Sequence, residues 1–127
     1  QIGISSDDPM FKDAVCWLKS KQNSDGGWGE DNLSYHDTDY SGKYSFSTSF
    51  QTAWALLGLM AAKETESAEV RAGINYLLKT QESDGFWTDH CFTAPGFPRV
   101  FYLKYHGYSK YFPLWALARF RNTECRK

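Results

Sequence analysis

Phe97, Phe101, Tyr105 and Tyr108 follow one another at spacings of four, four and three, inside a dense aromatic tract over residues 92–112. On a helix such spacings put all four rings on one face. A ring face attracts a cation by ~0.5 to 2 kcal/mol, more when water is excluded. Pro98 and Gly107 leave only the middle of the run for a regular helix. From spacing alone, ordinary core packing is the preferred reading of these rings. Asp89-His90-Cys91 with His106 offers ligand types that suit zinc. The second His comes too soon after the first group, however, and no further Cys or His cluster supports a site. No metal and no cofactor is expected. Asp37-Thr38-Asp39 reads as solvated loop acids. His36, His90 and His106 read as loop or surface residues, and Cys16 as helix packing. None has the partner pattern of an activated nucleophile.

The chain that must position these residues has 127 residues, room for one modest domain. A net charge of −1 and the absence of any Lys/Arg cluster exclude a nucleic-acid partner. Aromatics are the outlier, with 5 Trp, 8 Tyr and 9 Phe; that many rings serve either a core or a cavity lining. Three scattered cysteines, Cys16, Cys91 and Cys125, suit a reducing compartment. The longest apolar run, residues 53–62, is too short to cross a bilayer. The chain opens on Gln1 with a helix soon after, which suggests part of a longer polypeptide.

Gln22-Asn23-Ser24-Asp25-Gly26-Gly27-Trp28 returns as Gln81-Glu82-Ser83-Asp84-Gly85-Phe86-Trp87, each time after a helical stretch. Such a recurrence marks stacked helical hairpins. Asp8-Pro9 starts the first helix, with Met10, Ala14, Trp17 and Leu18 as its apolar stripe and an end near Gln22. Residues 29–46 are polar and irregular. Ser47-Thr48-Ser49 caps a helix over 50–63 that is apolar nearly all round and so should be interior. The helix over 68–80, capped by Ser67, has one stripe (Val70, Ile74, Leu77, Leu78) and a charged back, and should lie outside. A last short helix is expected from about Pro113, with Arg119, Arg121 and Arg126 near its C-terminus. Alternating outer and inner helices give an all-α fold of the α/α toroid type, a partial double ring of hairpins.

The Gln-x-x-Asp-Gly-x-Trp repeats resemble the QW motifs of triterpene cyclases. Ser49-Phe50-Gln51-Thr52-Ala53-Trp54-Ala55 is similar to a helix near their C-terminus. Gly96-Phe97-Pro98-Arg99-Val100-Phe101-Tyr102-Leu103, with Tyr105, Tyr108 and Phe112-Pro113, resembles the closing segment of the bacterial squalene–hopene cyclases. The likeness runs from about Pro9 to Asn122. Two positions depart from it: Phe86 replaces a small residue, and Phe50 stands where Ser is common.

The resemblance implies that residues 1–127 are the C-terminal portion of a membrane-associated bacterial isomerase of hopanoid biosynthesis, acting on squalene or a similar linear triterpene. Acid-initiated polycyclisation needs a dry cavity that stabilises carbocations without trapping them. The resemblance gives Phe97 and Phe101 to late cations, Tyr105 and Tyr108 to earlier ones, and Leu103 to cavity shape. Gln22, Gly26 and Trp28, with Gln81, Gly85 and Trp87, would tie outer helices together. The protonating Asp-x-Asp-Asp-Thr motif is absent here, so the acid is expected upstream and no catalytic residue in this stretch. By resemblance the parent sits on the cytoplasmic side of the bacterial membrane as a peripheral protein. Two other readings are a zinc-dependent protein prenyltransferase β-like chain and a non-enzymatic helical-repeat binding module. In the latter, the apolar inner helix would be covered by a second copy, as a homodimer.

Overall fold

The computed structural model describes residues 5–42, 46–92 and 96–125. Four helices carry the fold: α1 (Pro9–Ser20), α2 (Ser49–Ala61), α3 (Ala68–Thr80) and α4 (Tyr108–Glu124). Two single turns of 3-10 helix, Asn32–Tyr35 and Thr38–Tyr40, interrupt the loop between α1 and α2. Extended pairing among the described residues is one bridge, Trp28 with Thr48. The all-α expectation therefore stands, and the helices form a section of an α/α toroid.

Asp8 accepts a hydrogen bond from the Met10 amide (2.9 Å) and Pro9 fills the first position of α1, as its sequence dictates. The helix ends at Ser20, two residues short of Gln22, where the Lys21 amide donates to Leu18 O and the Gln22 amide to Lys19 O (3.2 Å each). Its expected apolar stripe is corrected. Met10 and Trp17 are exposed, and only Val15 and Leu18 touch the core. The C-terminal half is held instead, by the Trp28 indole on Leu18 O (2.8 Å) and by Lys19 Nζ on Glu64 (2.7 Å).

Helix α2 is interior on most sides but not all round as expected: Phe50, Ala53, Ala55, Leu56, Leu59 and Met60 are buried, while Trp54, Gly58 and Ala61, at spacings of four and three, form an exposed face. It begins at Ser49 and stops at Ala61 rather than Lys63. Lys63 takes a left-handed conformation (φ 66°), and the amides of Lys63 and Glu64 donate to the Met60 and Leu59 carbonyls. That pairing is a Schellman stop, here with Lys where Gly is usual. Helix α3 matches its expected bounds, and Ser67 accepts from the Val70 amide. Val70, Ile74 and Leu77 pack on α2, while Leu78 is 55% exposed. Leu78 lies one residue past the seam, about 100° around the helix from Leu77, where α2 no longer reaches. At Gly73 an added Cβ would sit 2.8 Å from both Leu56 and Trp28, so α2 and α3 pack that closely only through glycine.

Helix α4 packs on α2 through Phe112, Pro113, Ala116, Leu117 and Phe120. It begins at Tyr108, not at Pro113. Gly107 O accepts from the Lys110 and Tyr111 amides (3.0 Å each), so the first turn forms ahead of the proline. Pro113 then withholds one donor within the second turn, a loss the buried packing of its ring offsets. Of the expected C-terminal arginines, Arg121 lies in the last turn; Arg126 lies outside the described residues.

Candidate functional site

The two Gln-to-Trp turns are built alike. In the first, the Gly26 amide donates to Asn23 O, the Asn23 amide to Gly27 O, and the Gly27 amide to Asp25 Oδ1, each at 2.9 Å. In the second, the Gly85 amide donates to Glu82 O (2.9 Å), Glu82 to Phe86 O (2.8 Å), and Phe86 to Asp84 Oδ1 (3.0 Å). Gly26 and Gly85 take φ of 89° and 85°, a conformation that L side chains resist. Each Gln amide closes its own turn, Gln22 Nε2 on Gly26 O (2.7 Å) and Gln81 Nε2 on Gly85 O (2.9 Å). Each Trp is buried, with its indole donating to the end of the preceding helix: Trp28 to Leu18 O (2.8 Å), Trp87 to Leu77 O (2.9 Å). Gln22 alone also reaches a second helix, donating to Glu69 O in the first turn of α3 (2.9 Å).

The four spaced rings do not share a helix face. The middle of the run, 101–105, is irregular; the regularity lies at the two ends. A single turn closed by the Phe101 amide on Phe97 O (3.2 Å) brings Phe97 and Phe101 together, edge to face at 5.5 Å between centroids. Gly96 allows this, since a Cβ there would strike the Phe101 ring at 2.7 Å. A second turn, Tyr108 N on Tyr105 O (3.0 Å), stacks Tyr105 on Tyr108 at 5.0 Å. Pro98 and the left-handed Arg99 (φ 67°) lie within the first turn, the irregular stretch 101–105 separates the two pairs, and no ring contact bridges them among the described residues. Arg99 Nε donates to Tyr35 O and His36 Nε2 pairs with the Tyr102 hydroxyl at 2.9 Å. The 3-10 loop thereby holds this tract from its other side.

Tyr108 belongs to a larger ring cluster that spacing along one element could not reveal. Trp54 on α2 lies edge-on to Phe50 (5.2 Å), Tyr108 (5.5 Å) and Phe112 (5.3 Å), and Phe112 meets Tyr108 at 5.2 Å. The signals were present separately: Phe50 and Trp54 are four apart on α2, and Tyr108 and Phe112 four apart on α4. An α2 greasy all round reads as uniformly buried, which hid Trp54, a residue 36% exposed. Leu103, Tyr105, Tyr108 and Phe50 line one small hollow of about 20 Å³ together with Asp89 and Cys91. Phe97 and Phe101 do not line it. A larger cavity of about 370 Å³ is lined by Trp54 together with Trp17, Trp28 and Tyr35.

Asp89 is engaged as a helix cap. Its carboxylate accepts from the Ser49 amide (2.9 Å), the Ser49 hydroxyl (2.5 Å) and the Phe50 amide (3.3 Å) at the start of α2. Among the described residues no group of three His, Cys, Asp or Glu converges as a metal site would require. Asp37 caps its own 3-10 turn through the Asp39 amide (2.9 Å), a surface role. Tyr76 donates to Ser47 O (2.9 Å); burial foremost, then the charges of Asp25 and Asp89, push its phenol up to about 12.

The family model of the squalene-hopene cyclase C-terminal domain matches residues 1–122. A probable squalene–hopene cyclase of Sinorhizobium fredii is 62% identical over 121 residues, covering 94% of this chain and 18% of that protein. The squalene–hopene cyclase of Bradyrhizobium diazoefficiens is 59% identical over the same shares of the two chains. Dammaradiene synthase of the fern Dryopteris crassirhizoma is 45% identical over 83% of this chain and 17% of its own length. The chain thus spans under a fifth of the length of these relatives, and the two bacterial ones resemble it more than the fern enzyme does.

Proposed function

The chain belongs to the squalene-hopene cyclase C-terminal domain family, and on that premise we propose that residues 1–127 are the C-terminal portion of a longer triterpene cyclase. The parent polypeptide converts squalene or a similar linear triterpene into hopene- or hopanol-type rings. A carboxylic acid outside this stretch gives its proton to a terminal double bond. The cation so formed is attacked by successive double bonds, and loss of a proton or addition of water ends the sequence. This stretch supplies walls: ring faces that lower the energy of a passing cation and have no lone pair with which to trap it.

One observation carries the reading. Tyr105, Tyr108, Trp54, Phe50 and Phe112 gather from two helices and a turn at centroid separations of 5.0 to 6.2 Å. Phe97 and Phe101 form a second station, 5.5 Å apart. We assign the first station, with Leu103 shaping it, to earlier cations and the second to later ones. Contact of the parent with a membrane surface, from which so apolar a substrate would be drawn, belongs to the same proposal; no described helix is long and apolar enough to span a bilayer.

Incubating the full-length parent with squalene and resolving the products by gas chromatography and mass spectrometry tests this. The expected result is pentacyclic product, with Phe101→Ala giving truncated or rearranged skeletons. Unchanged squalene with the parent, or an unchanged product profile with Phe101→Ala, would contradict the reading.

A further inference from the structure

We propose that Asp89 is a positioning residue: it fixes the start of α2 and thereby sets where Phe50 and Trp54 stand against Tyr108. The role in catalysis rests on the cyclase reading above; the placement of the rings does not.

Asp89 follows buried Trp87 by two residues, and the Trp87 indole is anchored on Leu77 O (2.9 Å). The carboxylate is therefore mounted on the α3 unit while its bonds go to α2, forty positions earlier. It accepts from the backbone amides of the first two α2 residues and from the Ser49 hydroxyl. These are donors that an α-helix cannot satisfy internally. The local cap does not replace it. Thr48 Oγ1 accepts only weakly from the Gln51 amide (3.4 Å), and its own proton goes to Gln51 Oε1 (2.8 Å). Charge-assisted bonds at the positive end of a helix are short and directional, so they fix the rotation and height of the helix. Phe50 carries one of these amides, and its ring lies 5.2 Å from Trp54 and 6.2 Å from Tyr108. Two residues beyond Asp89, Cys91 enters the hollow lined by Leu103, Tyr105 and Tyr108. One carboxylate thus joins the second Gln-to-Trp turn to the ring cluster.

Asp89→Asn in the full-length parent keeps size and shape but removes the charge and puts an NH2 where Oδ1 accepts from the Ser49 amide. Squalene turnover should fall on the order of tenfold, since misplacement of a reacting group by 1 Å costs up to about a hundredfold. The product mixture should move toward incompletely cyclised skeletons, and the near-UV circular dichroism of the rings should change. Asp89→Glu should restore part of both, and Ser49→Ala, which removes a single bond, should act in the same direction with smaller size. Asp84→Ala serves as the control for stability alone: it loses the Phe86 amide bond in the same segment but should keep the wild-type products and ring spectrum. A soluble Asp89→Asn with an unchanged near-UV spectrum overturns the placement, whether or not the parent cyclises squalene. A changed spectrum with wild-type products overturns the link to the reaction. A wild-type parent that leaves squalene intact sinks the cyclase reading and not the placement.

Discussion

The first and second Gln-to-Trp turns share every local bond and differ in what stands opposite. Both have the same two backbone links, the same Asp-to-amide bond, a left-handed glycine, and an indole tied to the helix before it. Gln22 continues onto α3 through Glu69 O, and a Cβ on Gly26 would meet Ala72 O at 2.8 Å. Among the described residues Gln81, which is exposed, bonds only its own turn, and a Cβ on Gly85 would meet nothing within 4 Å. A turn of this kind is thus complete in itself. Its second function, tying helix to helix, exists only where another helix end arrives. Phe86, which departs from the usual small residue, gives the second turn a different tie, with Lys110 Nζ of α4 5.3 Å from its ring.

The largest effect should separate the two glycines. Gly26→Ala combines backbone strain with a clash against α3 and should destabilise by about 3 kcal/mol, whereas Gly85→Ala meets strain alone, about 1 to 2 kcal/mol. Urea unfolding of the two variants checks this, and equal losses would break the comparison. Next, Gln22→Ala removes both links of a half-buried amide and should cost about 2 kcal/mol, against at most about 0.5 kcal/mol for exposed Gln81→Ala. If Gln81→Ala costs as much in the full-length parent, a helix end outside this stretch completes the second tie. A smaller and pH-dependent effect belongs to Tyr76. Its folded phenol titrates near 12 against 10 for the free group. The folded form holds the proton more firmly, so this contribution is full below pH 10 and is lost as pH rises through 12. Melting temperatures across that window should fall more steeply in wild type than in Tyr76→Phe; parallel curves would contradict the assignment.

Much of this arrangement was legible in the residues because its causes are local. Both turns were visible as a repeat, and α3 could be bounded to the residue, because Ser67 and the turn after Thr80 sit next to it. The start of α4 was not legible: Pro113 is the louder helix signal, but the bonds onto Gly107 decide. Nor was the ring cluster. Periodicity within one tract suggested a face of four rings. In fact 101–105 is irregular, and Tyr108 finds its neighbours on α2, more than fifty residues earlier. Long-range packing leaves no spacing in the sequence to read. Asp89 shows the same limit: its neighbours offered zinc-ligand types at a spacing that argued against a metal, and only the fold reveals the helix start it caps.

Tyr108→Leu in the full-length parent probes the proposed wall of ring faces most directly. Leucine fills the hollow but offers no π-face between Trp54, Tyr105 and Phe112. The account predicts a folded protein whose squalene products shift toward incompletely cyclised skeletons, with turnover reduced on the order of tenfold for a lost cation–ring contact. A folded variant with wild-type products and wild-type turnover would contradict it.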